Sequence, residues 1–143
     1  MTEITFIVPG KPTPKGRPRF TRVGNYVKTY TPEKTAVFEN MVALCYEAAC
    51  RKAGEPGFLF DGPIAIEVHC YFRPPKSASK KARAAMLSGE TKYTKKPDAD
   101  NIFKAVTDGC NAVAYRDDSQ IVRIAADKSY ADYERTEVTI TQL

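Results

Sequence analysis

The sequence predicts one α+β domain over residues 1–143, a mixed β-sheet with two main helices packed on it and a C-terminal β-hairpin. Three observations lead to that class. A length of 143 residues suits one ordinary core and is short for two. Runs of two-residue apolar alternation are interleaved with runs at helical spacing, and the last two β-rich runs follow each other without a helix, so the sheet is not purely parallel. The apolar share of 43% and charged share of 27% are those of a folded globular chain.

In Glu3 to Val8 the apolar Ile4, Phe6 and Val8 fall on one face before Pro9-Gly10, which predicts a strand over 3–8. Residues 10–22 contain three prolines and two glycines, a composition that forbids a helix and favours extended, exposed backbone. A basic loop or arm is expected over 10–28. Thr31-Pro32 then supplies an N-cap and a first-turn proline, and Val37, Met41, Leu44, Cys45 and Ala48 recur at helical spacing until Gly54, predicting a helix over about 32–53. After Asp61-Gly62, the alternation Ile64, Ile66, Val68, Cys70, Phe72 ends at Pro74-Pro75 and predicts a strand over 63–73. Ser77 to Leu87 reads as a short basic helix stopped by Gly89, and Thr91 to Pro97 as a second basic loop. From Asp100 as N-cap, Ile102, Phe103, Val106, Cys110 and Val113 share one stripe of a helix over about 100–114. Ile121 and Ile124, then Val138 and Ile140, mark two strands turning near Ala131-Asp132, most simply as a hairpin.

No window holds the roughly 18 uninterrupted apolar residues of a membrane span. The N-terminal strand, with Glu3, resembles neither a signal peptide nor an anchor, so a soluble, cytoplasmic protein is expected. The cysteines at 45, 50, 70 and 110 form no C-x-x-C pair, and His69 is the only histidine, which excludes the usual zinc and redox spacings. Cys45, Cys70 and Cys110 fall on apolar faces and read as reduced core residues. His69 alternates with Val68 and Cys70, so it points to the other side of its strand and is assigned no catalytic role.

The net charge of +5 matters less than its placement. Ile4 to Pro32 carries six cations (Lys11, Lys15, Arg17, Arg19, Arg22 and Lys28) and no acid. Arg73 to Lys96 carries eight against Glu90 alone, so a basic insert over 74–97 joins the basic arm and leaves the rest of the chain acidic. Cations on extended backbone, with Phe20 and Tyr26 nearby, suit tracking of phosphates and stacking on an unpaired base. The competing reading is a loop kept soluble by its charge. Lys11, Lys15, Arg17, Arg19, Arg22, Lys95 and Lys96 are the candidate DNA contacts. Binding to a membrane surface ranks last, for want of a suitable amphipathic helix.

The candidate chemistry is acidic. Asp98 and Asp100 flank one residue at a loop-to-helix junction, and at about 100° per residue Asp100, Lys104 and Asp108 line the side opposite Ile102, Phe103 and Val106. A bland reading is available: an N-cap aspartate with an i,i+4 Asp100–Lys104 pair on a solvated face. Asp117-Asp118 follows the helix and by itself reads as a turn. Phosphodiester cleavage supplies a reason to join the two pairs. It requires a nucleophile from water and neutralisation of phosphate charge, which Mg²⁺ on hard carboxylate ligands provides.

The run K-P-D-A-D-N-I-F-K-A-V-T-D-G-C-N-A-V-A-Y-R-D-D-S-Q-I-V over 96–122 resembles the RusA Holliday-junction resolvases, with their D-x-D-N-x-x-K-x-x-x-D followed by D-D-x-Q. The N-terminal P-G-K-P-x-P-K-G-R-P-R and the closing strands extend the resemblance over most of the chain. It implies Asp98, Asp100 and Asp118 as catalytic metal-binding aspartates and Lys104 as the catalytic lysine, with Asp117 the less essential neighbour. It also implies Mg²⁺ (with Mn²⁺ as a substitute), branched DNA such as a four-way junction as substrate, and a homodimer that nicks strands of like polarity in pairs. Two alternatives stay open: a flap, fork or less specific DNA nuclease, and a junction-binding protein without catalysis.

Overall fold

A computed structural model describes residues 2–16, 19–30 and 32–143, and for Arg19 and Tyr30 the backbone alone. In β1 (Glu3–Pro9) Ile4, Phe6 and Val8 are buried while the residues between them are exposed, the pleat of a half-buried strand. Residues 10–16 have no regular structure, as their prolines require. The rest of the arm departs from expectation: β2 (Arg19–Val23) and β3 (Tyr26–Tyr30) pair antiparallel as a ribbon separate from the main sheet. The prolines all precede Arg19, and the two-residue turn Gly24-Asn25, with Gly24 at φ +60°, joins β-prone flanks containing Phe20, Val23, Tyr26 and Val27.

The first helix, α1 (Glu33–Lys52), is where it was expected, but Thr31, the expected cap, lies outside the described residues. Its inward face matches the stripe picked from the sequence only in part, with Met41 and Cys45 half-buried against the core. Thr35, Phe38, Val42, Tyr46 and Cys50 are buried, whereas Val37 and Leu44 are 56% and 58% exposed and Ala48 is exposed. Apolar residues surround much of this helix, so spacing alone marked two adjacent stripes. The sheet took the one bearing the aromatic rings, and Tyr46 meets Phe6 edge-on at 5.8 Å.

The remaining elements are β4 (Ile64–Phe72), α2 (Lys80–Leu87), α3 (Ala99–Cys110), β5 (Ile121–Tyr130) and β6 (Arg135–Gln142). Four strands form one mixed sheet in the order β1-β6-β4-β5, with β6 antiparallel to both neighbours and β4 parallel to β5. This confirms the α+β class and corrects its last detail. The two C-terminal strands run antiparallel and are joined by a short turn, yet they do not pair with each other. β4 lies between them, and the turn passes over its end, where the Ala131 amide donates to the Phe72 carbonyl. β4 is the most apolar strand and buries Ile64, Ile66, Val68, Cys70 and Phe72, so the central position covers the most surface.

α1 and α3 cover one face of this sheet, and the buried apolar residues form a cluster between the layers. Burial pushes the Cys70 and Cys110 thiols up to about 12, so both stay protonated at neutral pH and act as small hydrophobes; Cys50 is likewise buried and Cys45 partly so. On the opposite face His69 meets Asp127 at 2.8 Å, directed away from Val68 and Cys70 as the alternation predicts. α2 starts at Ser79, whose hydroxyl accepts from the Ala82 amide, and is followed by Gly89 at φ +85°.

Candidate active site

α3 carries the acidic motif and presents two unlike sides. Ile102, Phe103, Val106 and Cys110 are buried, while Asp100, Asn101 and Lys104 are exposed and Asp108 is partly so. The helix begins and ends earlier than expected, at Ala99 and Cys110, and Ala112 with φ 64° prevents its continuation. Asp98 therefore stands at the N-cap position and Asp100 falls in the first turn.

The bland reading of these acids holds for an i,i+4 pair, which is Lys104–Asp108, but does not account for Asp98 and Asp100. Asp98 makes no side-chain capping bond, although N-cap aspartates commonly do. Lys104 does not pair with Asp100: its Nζ donates to Asp108 Oδ1 at 3.0 Å. Asp98 and Asp100 are thus exposed carboxylates with no hydrogen bond or ion pair to a described side chain. Two carboxylates left unclaimed at adjoining positions are the donor set a hard divalent cation takes, together with water and phosphate oxygens.

Asp108 is the hub of a charged network. Lys15 Nζ approaches it at 3.0 Å from the other side and donates to Glu39 Oε1 at 3.0 Å. Burial alone would raise the Asp108 carboxyl, but hydrogen bonds from Lys15 and Lys104 outweigh it and hold the group below the usual carboxylate range. Burial would lower the Lys15 ammonium, but its hydrogen bonds to Glu39 and Asp108 outweigh this and raise it. The Lys15 amide donates to the Asn101 carbonyl at 2.9 Å and the Gly16 amide to Thr35 Oγ1 at 2.9 Å. Lys15, read from sequence as a free cation of the arm, is a clamp that ties the arm to α1 and α3.

Asp117 and Asp118 have different surroundings. Asp117 caps the 3₁₀ turn Asp118–Gln120 and accepts from the Ser119 amide at 2.9 Å. Asp118 instead accepts at 3.0 Å from the hydroxyl of Tyr115, a fully buried ring whose oxygen also lies 3.0 Å from the Thr107 carbonyl. Burial, foremost, raises the Tyr115 hydroxyl, so it remains a donor. Gln120 holds this turn in place. Its Oε1 accepts from the Arg116 and Asp117 amides at 2.8 and 3.1 Å, and its Nε2 donates to the Phe60 and Gly62 carbonyls at 3.1 and 3.0 Å. Gln120→Ala should destabilise the protein by about 1–3 kcal/mol through these partners left unsatisfied; an unchanged urea midpoint would refute this role. Sequence reasoning quoted Gln120 within D-D-x-Q without giving it a function and passed over Tyr115, a lone aromatic between helix end and acidic pair.

The three aspartates are not gathered at one point. Asp118 flanks the Thr107 turn of α3, about 10 Å along the helix from Asp100 at 1.5 Å per residue. Among the described residues no three His, Cys, Asp or Glu side chains are close enough to share a metal ion. The arrangement is a row: Asp98, Asp100, Lys104, Asp108 and then Asp118.

Of the candidate DNA contacts, Lys11 and Lys96 line a cleft with Asp98. Lys11, Lys95 and Lys96 are exposed, and Arg22 and Lys28 lie on the exposed β2–β3 ribbon beside Phe20 and Tyr26. Arg17 lies outside the described residues, as does the Arg19 side chain. The loop before Asp98 is pinned by Lys128, whose Nζ donates to the Lys95 and Pro97 carbonyls at 2.8 and 3.0 Å. Tyr93 donates to the Lys96 carbonyl at 2.8 Å and stacks on Phe72 at 4.1 Å. Among the described residues, no helix is long and apolar enough to cross a membrane.

Comparison with known proteins agrees with the motif. The family model for the endodeoxyribonuclease RusA matches residues 9–141. The chain is also 35% identical over 142 residues to YqaN of Bacillus subtilis (strain 168), described as an uncharacterized protein, covering 98% of this chain and 96% of that one. The match runs from the end of β1 through the acidic row to β6, and on it this chain belongs to the RusA endodeoxyribonuclease family.

Proposed function

We propose that the protein is a Mg²⁺-dependent endonuclease that resolves four-way DNA junctions by paired, symmetric nicks, acting as a homodimer. The observation that carries this reading is the pair of unclaimed carboxylates, Asp98 and Asp100, beside unpaired lysines on a chain of this family. Asp98 and Asp100 would hold one Mg²⁺, and Asp118, further along the row, would be a ligand of a second. Mg²⁺ so held, with Mn²⁺ as a substitute, supplies a water of lowered pKa and neutralises phosphate charge. Lys104, supported by Asp108, would orient the phosphate and stabilise charge developing on it. The ribbon with Arg22 and Lys28 would track the DNA backbone, while Phe20 and Tyr26 offer faces to unpaired bases at the branch point.

A second copy is supported by β5, which ends the sheet with Val122 and Ile124 at 63% and 62% exposure. Pairing along that edge would cover both. Tyr115 would act as a positioning residue for Asp118. Tyr115→Phe is therefore expected to raise the Mg²⁺ concentration needed for half-maximal cleavage by about 10- to 100-fold, with the rate restored at saturating metal. An unchanged Mg²⁺ requirement would remove Tyr115 from the site.

The deciding experiment is a gel assay on labelled four-way junction, flap, fork and linear duplex, with Mg²⁺ or EDTA. Paired Mg²⁺-dependent nicks confined to the junction are expected. Cleavage of flaps or forks in preference would make this a different branched-DNA nuclease, and tight binding without nicking would make it a junction-binding protein.

A further inference from the structure

Two clefts meet beside Asp98 on a ridge formed by Lys11, Thr13 and Lys34. The first, of about 520 Å³, runs from Lys11 and Lys34 to Lys96 and has Asp98 as its acidic residue. Its other walls include Pro12, Pro14 and Pro97, which have no backbone N–H to donate. The second, of about 510 Å³, descends on the far side of the ridge onto Val37, Phe38 and Met41. Lys11, Lys34 and Lys96 are all exposed and pair with no described acid, in contrast to Lys15 and Lys104 nearby. Three cations from segments far apart in sequence thus converge on a cleft whose one carboxylate is a proposed metal ligand. That excess of positive charge suits phosphate, and the cleft beyond the ridge, with Glu33 on its wall, has an apolar floor where α1 leaves Val37 uncovered beside Phe38 and Met41.

From this juxtaposition we infer that the ridge grips the sugar–phosphate next to the cleaved bond, and that the apolar cleft receives the unpaired base of that nucleotide. The inference rests on the nuclease reading and deepens it, adding Lys34 and Val37 as substrate contacts. A base inside a continuous duplex is held on both sides, whereas the pair next to a branch point is stacked less completely and opens more readily to let its base enter the cleft. The site therefore favours branched or single-stranded DNA by shape, with no need to read sequence. Charge complementarity and continuity with Asp98 argue for this occupant.

Binding of wild type, Lys34→Ala, Val37→Gln and Lys52→Ala to labelled junction and linear duplex tests it, with EDTA present to prevent cleavage. Lys52, exposed at the far end of the same helix, is the control. Lys34→Ala should weaken binding to both DNAs and reduce the slope of log affinity against log salt by about 1, the loss of one phosphate contact. Val37→Gln should weaken junction binding by about threefold or more and leave duplex binding unchanged, since an apolar contact with a base lacks the salt-dependent component. A Lys34→Ala protein indistinguishable from Lys52→Ala would overturn the ridge, and an unaltered junction preference in Val37→Gln would overturn the base cleft. Wild type that binds neither DNA would defeat the nuclease reading itself, an outcome distinct from either variant result.

Discussion

Asp100→Asn is expected to reduce Mg²⁺-dependent cleavage at least about a hundredfold while preserving the fold and junction binding. The size follows from the chemistry: a metal-bound phosphate owes several kcal/mol of transition-state stabilisation to the ion, and each 1.36 kcal/mol is tenfold in rate. The selectivity follows from the surroundings. Asp100 is exposed, it caps nothing, and Lys104 pairs with Asp108, so an isosteric amide disturbs no described contact. Removing a negative charge beside the lysines should if anything favour the polyanion. Measuring both quantities on the same preparation separates a lost metal ligand from a misfolded protein. Cleavage at the wild-type rate would sink the assignment, because it would show that an unclaimed carboxylate of the row is dispensable.

Gly109→Val should produce a large loss of stability. A Cβ at this position would come within 2.8 Å of the Glu39 carbonyl oxygen and 2.9 Å of Val42 Cβ, at the crossing of α3 on α1. The first is backbone in the middle of a helix and the second a fully buried side chain, so neither yields without moving α1. Overpacking of this kind costs about 1–3 kcal/mol, and a branched side chain belongs at or above the upper end. Against a typical total of about 5–15 kcal/mol, that is a lowering of the melting temperature by roughly 6–12 °C. Urea denaturation of the purified variant checks the prediction, and a midpoint equal to wild type would mean the helices do not meet here. A milder variant, Gly109→Ala, recovers about 1 kcal/mol of helix propensity and should fall between the two. Activity bears on the same contact, because displacing α1 shifts Glu39 and thereby the Lys15–Asp108–Lys104 network.

Much of the architecture was legible because its signals are local. Alternation in β1 and β4, the apolar stripe of α3 and the capped, glycine-stopped α2 each involve residues within a few positions of one another, and each element lies within a few residues of its expected span. The acidic motif was a weak signal by spacing alone; its resemblance to the RusA pattern singled out Asp98, Asp100, Lys104 and Asp118, and the family match agrees with that pattern. The β2–β3 ribbon was missed although its turn residues announce it, since the prolines before Arg19 were allowed to speak for the whole arm.

What the sequence by itself determined, then, is which segments form helices and strands, and which residue types are available for chemistry, because backbone sterics and side-chain periodicity act over one or two turns. Only the tertiary structure decided the rest. It put β4 between β5 and β6, since burial of the most apolar strand outweighs pairing of chain neighbours. It turned α1 to bury Phe38 and Tyr46 and left Val37 and Leu44 outside. It drew Lys15 into the Asp108 network and left Lys11, Lys34 and Lys96 unpaired around Asp98. Charges in sequence are equivalent; distance and burial, which exist only after folding, separate the cations spent on the fold from those left for a phosphate.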